Sequence, residues 1–78
     1  MYSREALTDI FQKVLQFEED VKVLYDDCID NLEDEDIINV LSTISKEEKG
    51  HIELAKQLLE LIKEWSYLDL STYLILKS

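Results

Sequence analysis

The segment Glu48-Lys49-Gly50-His51 decides the fold, because its Glu and His stand three residues apart within a helical pattern. At that spacing the two side chains share one face of a helix. Apolar residues recur around them at alternating intervals of four and three: Ile37, Leu41, Ile44, Ala55, Leu58, Ile62 and Trp65. Such a stripe is typical of the buried face of a helix in a bundle. Glu48 and His51 complete the rhythm, so the sequence predicts a carboxylate and an imidazole at core positions, where they need partners.

The first half of the chain carries a matching stripe. Its apolar members are Leu7, Phe11, Val14, Val21, Tyr25, Cys28 and Leu32, and the one charged residue in the series is Glu18. Ser3 is a suitable N-cap, and nothing before about Asn31 interrupts a helix. The acidic run 32–36 predicts the connection, with Asp34 as the N-cap of a second helix that ends near Trp65.

The sequence therefore predicts an all-α fold. Residues 1–65 form a two-helix antiparallel hairpin, and residues 66–78 form a short C-terminal helix or a packing tail, because Ser66 and Asp69 have capping-box spacing. The apolar arcs are wider than one partner helix can cover. We therefore expect the hairpin to dimerise into a four-helix bundle.

Composition narrows the classes of function. The net charge of -10 argues against binding to nucleic acid or to anionic membranes and suits cations as ligands. Cys28 is the single cysteine, which predicts a packing role and a reducing cytoplasmic location. No apolar run has the length of a membrane span, and no signal peptide is expected. A chain of 78 residues forms one small domain, which often needs a metal or a second subunit for stability.

An antiparallel hairpin brings the three polar residues into one layer. Glu18 and Glu48 are both about fifteen residues from the turn, roughly 22 Å at helical rise, and His51 is one turn further along. One such set makes a poor closed site for a metal, whereas two copies would supply four carboxylates that neutralise two divalent cations. Oxygen and imidazole ligands suit iron or manganese and tolerate zinc.

These residues resemble half of a ferritin-like di-iron carboxylate bundle, which carries a Glu on one helix and a Glu-x-x-His motif on the next. Two further features resemble the rubrerythrin branch of this superfamily: Tyr25, seven residues after Glu18, and the segment Glu47-Glu48-Lys49-Gly50-His51. The resemblance covers about residues 7–63. With one Glu-x-x-His instead of two, the chain is similar to encapsulated ferritins, which build the iron site between subunits. The resemblance implies oxidation of Fe(II) by oxygen or peroxide at two irons per dimer, and for some members confinement inside a protein shell.

Alternatives remain open at this point. The trio could instead be a buried Glu–His ion pair that fixes helix register in a metal-free protein-interaction module. Tyr25 could donate a hydrogen bond to a ligand carboxylate or simply fill the core. Glu19 and Glu47 could replace their neighbours if the register differed by one residue. Gly50 could admit a close approach by another helix or merely be tolerated.

Overall fold

The chain folds as a helical hairpin. The computed structural model describes the backbone of residues 2–77 and the side chains of residues 2–64. Within this range there are two α-helices and no strand: α1 spans Arg4–Asp30, and α2 spans Glu35–Lys77. Glu18 of α1 contacts His51 of α2, while Asp26 contacts Ser45. Since residues further along α1 meet earlier residues of α2, the helices are antiparallel, and the predicted all-α hairpin is confirmed.

The capping residues set the helix ends as predicted. Ser3 precedes α1, and its hydroxyl accepts a hydrogen bond of 3.1 Å from the backbone N–H of Ala6. Asp34 precedes α2, and its carboxylate accepts a bond of 3.1 Å from the N–H of Ile37. Each cap satisfies one backbone N–H that has no partner inside the helix. The acidic connection is therefore a loop of four residues, 31–34, which forces the helices to lie side by side.

The prediction that α2 ends near Trp65 and that a short helix restarts at Ser66 is wrong. Instead, α2 has 43 residues and runs without a break to Lys77. There is no proline or glycine after Gly50, and extending an existing helix is much easier than starting a new one. At 1.5 Å per residue, α2 would be roughly 64 Å long, close to the 65 Å length of the molecule. Since α1 has 27 residues, the last part of α2 extends beyond the hairpin.

The interface between the two helices covers only part of the apolar arc of α2, as the width of that arc predicted. The buried residues of α2 are Ser45, Ile52, Ala55 and Ile62, and Ser45 and Ala55 are small enough for α1 to approach closely. Ala55 and Ile62 belong to the predicted stripe, whereas Ser45 and Ile52 take the buried places that it assigned to Ile44 and His51. Ile37 and Cys28 are exposed. The prediction that Cys28 lies in the core is therefore wrong. A single partner helix covers one edge of a wide apolar arc and leaves the other edge uncovered.

The uncovered edge is an apolar surface that we call the apolar face. Its residues are Ile10, Val14, Phe17, Val21 and Leu24 of α1, and Ile37, Val40, Ile44, Leu54, Leu58 and Leu61 of α2. Phe17 and Leu24 are 65% and 64% exposed, and Leu54 and Leu61 are 62% and 61% exposed. Spacings of three and four are the pattern of a helix-packing seam. Within the described residues, neither helix combines the length and the apolar character that crossing a membrane requires.

Candidate metal centre

The structure brings the three predicted residues together. The Nδ1 atom of His51 lies 3.8 Å from Oε2 of Glu18 and 3.8 Å from Oε2 of Glu48. One potential ligand atom from each residue lies within 4.8 Å of the others. Of the residues that the structure describes, these three form the one cluster of acidic, histidine or cysteine side chains that could hold a metal ion.

The positions follow from the hairpin. Glu18 and Glu48 are equally distant from the loop, so they meet at the same height on opposing helices. His51 follows Glu48 by three residues, which places it on the same side of α2 and one turn away from the loop. The register is the one predicted, since neither Glu19 nor Glu47 belongs to the cluster. Glu47 is exposed, whereas Glu19 is half-buried.

Burial divides the cluster into an inner and an outer part. The Glu18 and Glu48 side chains are only 19% and 16% exposed, whereas His51 is 56% exposed. The prediction that His51 occupies a core position is therefore wrong for the single hairpin. The reason is that Ile52 takes the buried place at the helix interface. His51 opens instead onto the apolar face, between Ile44 and Leu54 along α2.

One carboxylate oxygen in this cluster has no partner. Oε2 of Glu48 is buried and, within the described residues, makes no hydrogen bond. Its 3.8 Å separation from His51 is too long for a hydrogen bond. Buried polar atoms without a partner are rare in proteins, and each asks for an explanation such as an absent ion. Two carboxylates and an imidazole are a donor set that suits iron, manganese or zinc, so the residues present fit a divalent cation.

Tyr25 lies on α1 two turns beyond Glu18 and is half-buried. Among the side-chain hydrogen bonds of the described residues, none joins its hydroxyl to Glu18 or Glu48. Its role as a hydrogen-bond donor to a ligand carboxylate stays a prediction.

A second polar group, which the sequence analysis did not single out, lies beside the cluster on the side of the loop. The Ser45 hydroxyl of α2 donates a hydrogen bond of 2.6 Å to Oδ1 of Asp26 on α1. The Lys22 ammonium donates a bond of 2.6 Å to Oδ2 of the same carboxylate. The hydrogen bonds from Lys22 and then from Ser45 hold the pKa of Asp26 below its ordinary value, against a smaller opposing effect of desolvation. The spacing of four between Lys22 and Asp26 was the one signal for this group in the sequence.

Comparison with known proteins assigns neither a family nor a function to this site. No protein-family model, no curated protein and no solved structure matches this chain. Membership of the ferritin-like superfamily therefore stays a hypothesis that depends on Glu18, Glu48 and His51.

Proposed function

We propose that the protein binds Fe(II) and oxidises it at a site formed between two copies of the chain. The observation that carries this proposal is the buried, unpartnered Oε2 of Glu48 beside Glu18 and His51. A carboxylate oxygen held in that condition stabilises the fold only if a cation binds to it. This proposal includes the dimeric four-helix bundle, membership of the ferritin-like superfamily and the oxidation of iron.

The apolar face supports assembly as a homodimer. Glu18 lies beside the apolar face on α1, and His51 lies within it on α2. Because these two residues are in contact, the exposed apolar residues of both helices flank the same cluster on one side of the hairpin. A two-fold pairing through this side covers the large exposed side chains and brings two clusters together. The exposed His51 then becomes buried at the seam.

The charges of the paired site favour two divalent cations. Two copies of Glu18 and Glu48 contribute four negative charges, and two ions of charge +2 balance them. Each ion would have one imidazole, and the four carboxylates would balance the charge of both ions. Without cations the four carboxylates repel one another, so we expect metal binding and dimer formation to be coupled.

Iron is the substrate in this scheme. Fe(II) is oxidised to Fe(III), and oxygen or peroxide accepts the electrons. Glu18, Glu48 and His51 would hold the ions, with the glutamates balancing the ionic charge and His51 contributing an imidazole nitrogen. The apolar residues around the cluster exclude water and keep these charges strongly interacting. Mn(II) or Zn(II) could take the same ligands as a non-redox site. The proposed setting is the cytoplasm, with a surrounding protein shell as a further possible partner.

The competing hypothesis is a metal-free interaction module in which the trio fixes helix register. That role requires close hydrogen bonds between the buried polar groups. The His51 contacts of 3.8 Å do not favour it.

The test is aerobic addition of Fe(II) to protein that has been stripped of metal, with iron oxidation followed by absorbance. We expect Glu48→Gln to abolish oxidation above the buffer rate while circular dichroism stays helical. Glu53→Gln is the matched control, because it removes the same charge from an exposed position on the same helix. The proposal fails if the unmodified protein does not accelerate oxidation, or if both variants oxidise iron equally well. Elemental analysis after purification without chelator distinguishes iron from manganese and zinc.

A further inference from the structure

Lys22 stands between two acids on the same helix. Glu18 precedes it by four residues and Asp26 follows it by four, so its ammonium could reach either carboxylate. In the structure it lies 2.6 Å from Oδ2 of Asp26. Of the salt bridges that the described residues make, none joins Lys22 to Glu18.

This arrangement is not the one that helix geometry alone favours. A Glu four residues before a Lys is the better order for such a pair, because it agrees with the helix dipole. Glu18 also has the second carboxylate of Glu48 nearby, which adds to the attraction for a cation. Another contact must therefore favour the salt bridge between Lys22 and Asp26 over one between Lys22 and Glu18.

The additional contact comes from α2. Ser45 is buried, and its hydroxyl donates to Oδ1 of Asp26. A buried hydroxyl needs a partner, so this bond fixes the Asp26 carboxylate in one orientation. The other carboxylate oxygen of Asp26, Oδ2, then faces Lys22 and accepts its hydrogen bond. The Lys22 side chain is only 28% exposed. The hairpin contact between α1 and α2 thus selects which acid the lysine pairs with.

We infer that Asp26 is a positioning residue that holds the Lys22 ammonium away from Glu18 and so keeps the Glu18 carboxylate available to a metal cation. This inference rests on the proposed function, because it assigns to Asp26 the protection of a ligand. An ammonium paired with Glu18 in each subunit would neutralise two of the four carboxylates in the paired site and occupy oxygens that the cations need.

The first experiment measures anaerobic Fe(II) affinity for four proteins: the unmodified chain, Asp26→Asn, Lys22→Met and the double variant. Asp26→Asn removes the charge that holds the Lys22 ammonium, so we expect Fe(II) to bind about three- to tenfold more weakly. This range is the effect of forming one surface Glu–Lys pair in each of two subunits. Lys22→Met in the same background should restore the affinity, because no ammonium remains to compete. Asp27→Asn is the charge-matched control, since it neutralises the adjacent acid and releases no lysine; it should have a smaller effect than Asp26→Asn.

The second experiment needs no metal. A double-mutant cycle with Glu18→Gln and Lys22→Met measures the coupling between these residues from urea unfolding. We expect no coupling when Asp26 is present and a favourable coupling, about twofold in the unfolding equilibrium, in the Asp26→Asn background.

The two experiments separate the possible failures. If the unmodified chain binds no Fe(II), the proposed function is wrong and the protective role of Asp26 falls with it. If the chain binds Fe(II) but Asp26→Asn weakens binding no more than Asp27→Asn, or Lys22→Met does not restore it, the inference alone is overturned. An equal Glu18–Lys22 coupling in both backgrounds also overturns the inference and leaves the metal site intact.

Discussion

Oε2 of Glu48 lies 3.8 Å from Nδ1 of His51, and within the described residues no hydrogen-bond donor satisfies it. Because this oxygen is buried, bulk water does not replace the missing partner. A carboxylate kept in this condition destabilises the empty hairpin, and a bound cation would remove the cost. The stability of the metal-free protein and its metal affinity should therefore change in opposite directions on substitution.

Glu48→Gln tests this opposition. We expect it to raise the free energy of unfolding of the metal-free protein by about 1 kcal/mol, because it removes an unpaired buried charge and offers an N–H donor to Glu18. The same variant should lose any stabilisation by added Fe(II). Urea unfolding with and without Fe(II) measures both effects. A less stable metal-free variant would instead indicate that Glu48 is a structural ion-pair partner of His51.

The apolar face can be tested with neighbouring residues of nearly equal exposure. Leu24 belongs to the apolar face and is 64% exposed, whereas Val23 lies outside it and is 63% exposed. With Fe(II) added anaerobically, we expect Leu24→Glu to remain monomeric, because the dimer would bury an unpaired carboxylate at a cost of several kcal/mol, roughly. Val23→Glu should leave the dimer intact.

Analytical ultracentrifugation gives the oligomeric state of both variants, and circular dichroism checks that the helices remain. Equal effects of the two substitutions would contradict pairing through the apolar face.

Substitution of Gly50 tests whether another subunit packs against α2 at this position. A Cβ atom built there meets nothing within 4 Å in the single hairpin. Gly50→Ala should therefore raise the unfolding free energy of the metal-free monomer by about 0.8–1 kcal/mol through helix propensity. This corresponds to about 4–8 °C in Tm for a chain of this size. A lower Tm at concentrations where the dimer forms would show that another subunit packs directly against Gly50.

Asp26 should make stability depend on pH. Lys22 and Ser45 lower its pKa in the folded protein below the ordinary value of 3.8. The ionised carboxylate therefore stabilises the fold fully above that value, and the contribution disappears as the pH falls through the lower, folded pKa. We expect Asp26→Asn to be less stable than the unmodified chain at neutral pH, with a difference that closes in acid. Thermal unfolding of both proteins between neutral pH and acid measures this, and a constant difference would argue against the assignment.

The sequence predicted the parts of the fold that depend on local chemistry. Ser3 and Asp34 were identifiable because their side chains cap the helices in a way that spacing alone indicates. The common height of Glu18 and Glu48 followed from their equal distance from the loop. These relationships need no knowledge of which face of each helix is covered.

The exposure of His51 and Cys28 depended on which edge of each helix the other covers, and periodicity does not fix that edge when the apolar arc is wide. The pairing of Lys22 with Asp26 was likewise hidden, because Glu18 is an equally spaced alternative and the deciding contact comes from Ser45 on the other helix. α2 continues through Ser66, where no proline or glycine interrupts it, so the capping-box spacing at Ser66 does not start a new helix.

The most direct test of the central claim is an anaerobic Fe(II) titration of metal-free protein, followed together by calorimetry and sedimentation. We expect saturation at one Fe(II) per chain, accompanied by conversion of monomers to dimers, with both changes absent in Glu48→Gln and retained in Glu53→Gln. Binding of Fe(II) at the same stoichiometry in Glu48→Gln, or no binding by the unmodified protein, would contradict it.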